Sequence, residues 1–193
     1  MFIKELRSST MSAHQALDKM LIPCIKSIET PVQYGDLLKC FYGYFSRVEE
    51  QLSLFLSNYD IPKYDERRKA HVIVQELESI GLPFSSGLAD IPQIDTKAKA
   101  MGAMYVLEGS TLGGKIIAKI IGGNLGIDPA QLRFFNYYGD NTEAMWKGFS
   151  DALNDYAASI DQPGRDEMIQ AAIDTFHYFK NWIERTYLPQ KQL

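Results

Sequence analysis

The stretch that decides the fold is MYVLEGSTLGGKIIAK, Met104 to Lys119. From Gly109 onward it reads G-x-x-x-x-G-K, which matches most of a phosphate-binding loop, but Ile116 occupies the place of the Ser or Thr that would hold magnesium. Such a loop also follows a strand in a fold of alternating strands and helices, whereas the other segments of this chain show helical periodicity. A nucleotide site is therefore the weaker interpretation.

As a helix, the same stretch places its glycines on one side. Gly102, Gly109 and Gly113 are separated by seven and four residues, and Gly114 lies beside them. Each glycine inside a helix costs about 1 kcal/mol relative to alanine, so several of them indicate that something approaches the bare backbone closely. Two candidates stay open at this point: a neighbouring helix, and a flat ligand lying across a helix that adjacent glycines allow to kink.

Composition limits the classes of protein that fit the chain. Its 193 residues, 46% hydrophobic and 23% charged, suit one globular domain spanning residues 1–193. The net charge of −4 offers no basic footprint for nucleic acid or an anionic membrane, and no apolar run suits a signal peptide or a membrane span. Cys24 and Cys40 match no metal or redox spacing, so we expect reduced thiols in a cytoplasmic protein.

Helical periodicity and capping signals predict an all-α protein. An inward-facing stripe recurs at steps of three and four near the start of the chain: Leu6, Thr10, His14, Leu17 and Leu21. It predicts a first helix that stops before Pro23 and places His14 toward the core. Further helices are predicted for the following segments: Thr30-Pro31 to about Leu56, Tyr64 to Ile80, Asp95 or Thr96 to Gly122-Gly123, a short piece from Asp128-Pro129, Asn141-Thr142 to about Ile160, and Pro163 to near Tyr187.

Two motifs in a fixed order give the chain a family resemblance. Leu6 to Asp18 reads L-R-x-x-T-x-x-x-H-x-x-L-D, and about 95 residues later Tyr105 to Gly114 reads YVLEGSTLGG. They resemble the proximal helix and the glycine-rich distal helix of haem oxygenases, especially the bacterial, biliverdin-producing branch. Two further segments are similar to the same family: ERRKAHVIVQELESIG, Glu66 to Gly81, and TFHYFKNWI, Thr175 to Ile183. The resemblance implies a single-domain all-α bundle in which haem is sandwiched between the first helix and a kinked, glycine-rich helix.

The same resemblance implies roles for residues on both helices. His14 would be the proximal ligand of the haem iron, as a neutral imidazole. Gly109 and Gly113 would lie over the distal face, where the missing side chains let the backbone approach the porphyrin and orient bound dioxygen. Ser110 stands where animal-type members carry an aspartate that anchors distal water, and a hydroxyl can orient water without supplying charge. The predicted catalytic set is therefore Gly109, Ser110 and Gly113.

The two haem propionates need partners at the pocket edge, where basic side chains and tyrosines usually meet them. Arg7 and Lys119 stand where the family often has basic residues, and Tyr105 is a third candidate. The alternative for the two cations is plain solvated helix surface, and for the tyrosine it is core packing. His71 and His177 are not expected to bind iron.

A member of this family would cleave haem with dioxygen and external electrons to biliverdin, ferrous iron and carbon monoxide, with haem as both substrate and cofactor. The chain shows no flavin or nicotinamide motif, so a ferredoxin or an NAD(P)H-dependent reductase is the implied electron donor. A phytochrome or a haem-uptake system is the implied neighbour in the pathway. Two other functions stay open: a haem-binding or haem-carrier protein of the same fold without efficient turnover, and a related helical bundle of the thiamine-degrading type, which needs an activated cysteine.

Overall fold

Residues 1–188 are described by the structure, which is a computed structural model. Within this range the regular structure is entirely helical, with six α-helices, short 3-10 turns and no strand. The α-helices are α1 (Phe2–Lys26), α2 (Pro31–Leu52), α3 (His71–Ser79), α4 (Lys97–Leu125), α5 (Thr142–Ser159) and α6 (Gln162–Thr186). The all-α prediction is confirmed. The single-domain prediction, whose residues 189–193 lie outside the described range, stays a prediction.

Capping residues begin and end several helices where the sequence indicated. The Thr30 side chain accepts from the Gln33 N–H at 3.3 Å, and the Gln33 side chain accepts from the Thr30 N–H in return. Thr96 caps α4 in the same way. α2 ends at Leu52, earlier than predicted, whereas α4 passes its predicted end and is closed by Gly126 with a φ of 66°.

α1 continues through Pro23, so the prediction that it stops before this proline is wrong. Pro23 lacks the N–H that would bond the preceding turn, but Cys24 and Ile25 behind it are buried and keep the chain in helical register. The end of the helix is closed by α4, where the Asn124 side chain donates to the carbonyl oxygen of Lys26 at 3.1 Å. Tertiary contacts therefore extend α1 beyond its local stop signal.

The predicted helix from Tyr64 to Ile80 is shorter than expected. A 3-10 turn at Tyr64–Glu66 is followed by extended backbone at Arg67, and regular helix begins only at His71. The Arg67 side chain is 1% exposed, because its guanidinium pairs with Glu108 of α4. An ion pair inside the fold has overridden the helical periodicity of this segment.

α4 runs through the middle of the protein, packed mainly against α6 and also against α1, α2 and α5. Every residue from 100 to 108 is buried, so this part of the helix is enclosed on all sides. An aromatic cluster from α2, α6 and the connection after α4 fills the core beside it: Phe41, Phe45, Phe134, Phe135 and Phe179. Because residues 104–108 form helix and not a strand, the phosphate-loop interpretation is wrong.

None of the helices in the described part of the chain combines the length and the apolar character needed to cross a lipid bilayer.

Candidate functional site

Two glycines of α4 serve close packing within the chain. A Cβ added at Gly102 would lie 2.2 Å from the carbonyl oxygen of Met168, and one at Gly114 would lie 2.0 Å from that of Phe135. A side chain at either position would overlap backbone atoms, so the backbone would have to shift to accept one. The interpretation of the glycines as a contact for a neighbouring helix is therefore right at Gly102, which meets α6, whereas Gly114 meets the connection that follows α4.

Gly109 and Gly113 leave one side of α4 bare and open. A Cβ at Gly113 would meet no atom within 4 Å, and one at Gly109 would touch only the ring of Trp146 at 3.8 Å. Leu112 and Ile116 lie along the same side of the helix and are 44% and 64% exposed. We call this side, at residues 109, 112, 113 and 116, the open face. A bare, apolar and accessible helix face fits a flat apolar ligand.

His14 is exposed on α1, so the prediction that it points toward the core is wrong. Ala13 occupies the buried position between Thr10 and Leu17, because steps of three and then four from Thr10 keep the stripe on one side of the helix. The His14 side chain is 57% exposed, and its ring lies 5.3 Å from that of Phe176 on α6. An exposed imidazole can offer a ring nitrogen to a ligand, which a histidine enclosed in the core cannot.

α1 and α4 run in the same direction and meet at two places. Near their beginnings the Tyr105 hydroxyl lies beside that of Thr10, and near their ends Asn124 bonds the Lys26 carbonyl. His14 and the two open glycines lie between these contacts along their helices. The structure therefore brings the predicted iron ligand and the predicted distal glycines to the same stretch of the α1–α4 pair.

Asp18 follows His14 by one turn on the exposed side of α1. Its carboxylate oxygen lies 3.4 Å from His14 Nε2. A carboxylate beside a metal-binding imidazole orients the ring and raises its basicity. Asp18 was not among the predicted site residues, although its spacing of four residues from the histidine was the signal that could have identified it.

The three predicted propionate partners are not all in one place. Tyr105 is 9% exposed, and Arg7 on α1 is close enough to act on its hydroxyl. Burial raises the pKa of Tyr105, and the neighbouring Thr10 and Arg7 partly oppose this rise, so the phenol is a neutral hydrogen-bond donor at pH 7. Lys119 is exposed further along α4, next in spacing after Ile116 of the open face. The structure thus joins Arg7 to Tyr105 and leaves Lys119 apart.

Ser110 is bonded to a buried arginine that sequence analysis did not select. Its Oγ donates to the carbonyl oxygen of Leu107 at 2.7 Å and accepts from Arg68 Nη2 at 2.5 Å. Arg68 is 7% exposed, and its guanidinium lies over the ring of Phe134 at 4.3 Å. A positive charge therefore stands directly behind Ser110. The signal was the RRK sequence at 67–69, although a run of charges is usually solvated surface.

Glu108, to which the sequence assigned no role, fixes α4 from the side away from solvent. It is 2% exposed, its Oε2 accepts from Arg67 Nη1 at 2.5 Å, and its Oε1 accepts from the Tyr138 hydroxyl at 2.9 Å. A buried ion pair in which both partners keep further hydrogen bonds defines one geometry for the elements it joins. Glu108 immediately precedes Gly109, so this pair fixes the start of the open face.

The remaining histidines and the two thiols lie outside the open face of α4. His71 begins α3 and lines a surface groove with Arg133 and Tyr137, and His177 is exposed on α6. Burial raises the pKa of the Cys40 thiol to about 12. A thiol with so high a pKa is a poor nucleophile, which argues against the thiamine-degrading alternative.

Fold and site together define an all-helical protein with an accessible apolar face on a glycine-rich helix and an exposed histidine on the helix beside it. The family model of heme oxygenase matches residues 85–185 of the chain. This match covers more than half of the residues, and the chain belongs to the heme oxygenase family.

Individual relatives support this assignment. A heme oxygenase of Xanthomonas campestris pv. campestris (strain 8004) is 26% identical over 148 residues, which are 76% of this chain and 86% of the relative. The fold is similar to that of the heme oxygenase from Neisseria meningitidis in its NO- and CO-bound crystal structures. That comparison has a TM-score of 0.79 and 24% identity, and covers 96% of this chain and 92% of the other. The haem-oxygenase-like fold is confirmed, whereas the roles of individual site residues, and the kink in the glycine-rich helix, stay predictions.

Proposed function

We propose that this protein is a haem oxygenase that opens the haem ring with dioxygen and external electrons, giving biliverdin, ferrous iron and carbon monoxide. The observation that carries the proposal is the open face of α4, at Gly109 and Gly113, together with the exposed His14 on the neighbouring stretch of α1. Haem is flat, largely apolar and carries two carboxylates at one edge. The bare apolar face suits the flat ring, the imidazole suits the iron, and the flanking cations suit the two carboxylates.

The side chains would divide the work of binding. His14 would hold the haem iron, which supplies the redox chemistry of dioxygen activation when haem is bound. The bare backbone at Gly109 and Gly113 would let the porphyrin lie against α4, and the apolar Leu112 and Ile116 would keep water from its edge. Tyr105, a neutral donor, would hydrogen bond a propionate at the first α1–α4 contact, with Arg7 supplying charge there and Lys119 supplying it further along α4.

Ser110 would position water at the distal face with the help of Arg68. A hydroxyl has one donor and two acceptor lone pairs. In this structure the donor goes to Leu107 and one lone pair to Arg68, so the second lone pair can still accept from a water molecule. The guanidinium supplies the charge that a hydroxyl lacks, and a positive charge in a buried site favours negative charge beside it.

Haemin titration tests the proposed function directly. We expect haemin to bind the protein with a sharp Soret band, and the complex to give biliverdin and carbon monoxide when ascorbate is added under air. The pigment is followed by absorbance, and the gas by its spectral signature on reduced myoglobin. A complex that forms but never yields biliverdin would contradict the oxygenase, and absence of binding would contradict any haem function.

The bonds of Ser110 also favour a second candidate, a haem-binding or haem-carrier protein without efficient turnover. Because its only donor is engaged by Leu107, Ser110 has none left for a distal water. A site whose turnover needs such a donor would bind haem without converting it efficiently to biliverdin. The two candidates separate in the experiment above, since both predict binding and only the oxygenase predicts biliverdin.

Replacing Ser110 with alanine is expected to leave haemin affinity within about twofold and to slow biliverdin formation about five- to tenfold. The reason is that one hydrogen bond contributes about 1 kcal/mol, here to the placement of water and not to haem itself. Haemin titration gives the affinity, and single-turnover absorbance measurements give the rate of biliverdin formation. The matched control is Ser53→Ala at the end of α2, and equal rates in the two variants would contradict a role for Ser110.

Replacing Asp18 with asparagine is expected to weaken haemin binding about tenfold, because the carboxylate no longer orients the His14 ring or raises its basicity. Haemin titration of the wild type and the variant measures the change. Asp155→Asn, at an exposed position on α5, is the control. Identical affinities in all three proteins would show that Asp18 does not support the histidine.

We further propose that a ferredoxin or an NAD(P)H-dependent reductase supplies the electrons, and that a phytochrome or a haem-uptake system is the neighbour in the pathway. The exposed cations Arg7 and Lys119 near the open face support docking of an acidic donor. The thiols Cys24 and Cys40, both buried, are consistent with a cytoplasmic location. Turnover rates with a ferredoxin, with a flavin-containing reductase and with ascorbate would rank the donors, and a salt-insensitive ferredoxin rate would contradict charge-guided docking.

A further inference from the structure

Three consecutive cations, Arg67, Arg68 and Lys69, lead into α3 beneath α4. Arg67 is paired with Glu108. Arg68 is different, because within residues 1–188 no carboxylate forms an ion pair or a hydrogen bond with its guanidinium, which bonds Ser110 instead. A buried guanidinium without a direct counter-charge projects its positive potential toward the distal face of the site.

Glu49 of α2 holds this segment from the opposite side. Both of its carboxylate oxygens lie 2.9 Å from the backbone nitrogen of Ala70, which donates to them. Ala70 follows the three cations and immediately precedes α3, so this contact fixes where the segment ends. Glu49 is not among the residues proposed to bind haem.

The surroundings of Glu49 make its charge sensitive to pH. Burial raises the pKa of its carboxyl from the usual 4.5 to about 7. The Ala70 N–H and the cations Lys69 and Arg68 lower this pKa, and the carboxylate of Glu108 raises it further. The charged or ionisable groups that face Glu49 are Arg68, Lys69, Glu108 and Tyr64.

We propose that Glu49 is a positioning residue for the distal site: it fixes the segment that carries Arg68, and its charge sets the positive potential that Arg68 presents at Ser110. This inference rests on the proposed function, since it concerns the same face. Among Arg67, Arg68, Lys69, Glu108 and an ionised Glu49, positive charges exceed negative charges by one. Protonation of Glu49 raises this excess of positive charge to two, which strengthens the preference for negative charge at the distal face.

The first test needs no haem. Between pH 4.5 and about 7 the unfolded chain has lost the Glu49 proton and the folded chain still holds it, so this group makes stability fall as pH rises through that window. Glu49→Gln keeps an acceptor for Ala70 and cannot ionise. We expect its thermal unfolding midpoint to fall less steeply with pH than that of Glu50→Gln, an exposed neighbour paired with Arg47. Equal slopes in the two variants would overturn the inference.

The second test reads the distal face spectroscopically. The acid–alkaline transition of the ferric haem complex reports how readily that face accepts a negative charge. Removing the Glu49 charge should lower the transition midpoint by about 0.3–1 pH unit, and Arg68→Gln should raise it, because the two variants change the local charge in opposite directions. A merely structural role would loosen the segment in both variants and move the midpoint the same way.

The outcomes distinguish this inference from the proposed function. If haemin binds normally and Glu49→Gln shows the same transition midpoint as Glu50→Gln, the inference on Glu49 fails and the proposed function stands. If no variant and no wild-type protein gives a Soret band, both fail. Opposite shifts in Glu49→Gln and Arg68→Gln, together with the reduced pH slope of the haem-free protein, support the inference.

Discussion

Replacing Gly113 with leucine is expected to abolish haemin binding, lowering affinity at least about a hundredfold, while leaving the haem-free protein folded. A Cβ at this position meets nothing within 4 Å, so the new side chain has room in the haem-free protein. Replacing an interior helix glycine also gains up to about 1 kcal/mol of helix propensity. The leucine would cover the open face on which we place the porphyrin, so the variant should be as stable as the wild type and unable to bind.

Gly114→Ala is the matched control one residue further along. Its Cβ would lie 2.0 Å from the carbonyl oxygen of Phe135, so this smaller change should destabilise the protein by about 1–3 kcal/mol through overpacking. It should nonetheless keep haemin affinity below its lowered unfolding temperature. Thermal unfolding gives the stability of each variant, and haemin titration gives its affinity for haemin. A Gly113→Leu protein that binds haemin as tightly as the wild type would show that haem does not lie on this face.

The helix ends that could be predicted from sequence are those set by local contacts. Thr30 and Thr96 act on N–H groups three residues away, so the signal and its partner lie together in the sequence. Pro23 is also a local signal, but α1 continues through it because buried residues and Asn124 of α4 support the last turn. Contacts between residues distant in sequence decided that boundary, and no window of the sequence contains them.

The features of the site also divide into those that local spacing predicts and those that depend on contacts between residues distant in sequence. The spacing of the glycines indicated a bare helix face, but it could not show that Gly114 meets a backbone carbonyl while Gly113 meets nothing. Arg67 and Arg68 stand in a run of charges that usually marks solvated surface. Their burial depends on Glu108 and Ser110, about 40 residues away, so only the fold reveals that these arginines lie behind the start of the open face.

The exposure of His14 makes its replacement a clean test of the proximal assignment. We expect His14→Ala to lose the spectrum of an imidazole-coordinated haem and to bind haemin at least about a hundredfold more weakly, because the iron loses its protein ligand. The His14 side chain is 57% exposed, so the free energy of unfolding should change by no more than about 0.5 kcal/mol. Loss of binding would then reflect the missing ligand and not a damaged fold.

Added imidazole sharpens the result, because the alanine leaves room for a free ring between α1 and the bound haem. The spectrum should recover in His14→Ala as imidazole is titrated, and the same additions should leave His71→Ala, which lacks an exposed histidine at the start of α3, unchanged. If His14→Ala keeps the wild-type spectrum without imidazole, another residue holds the iron.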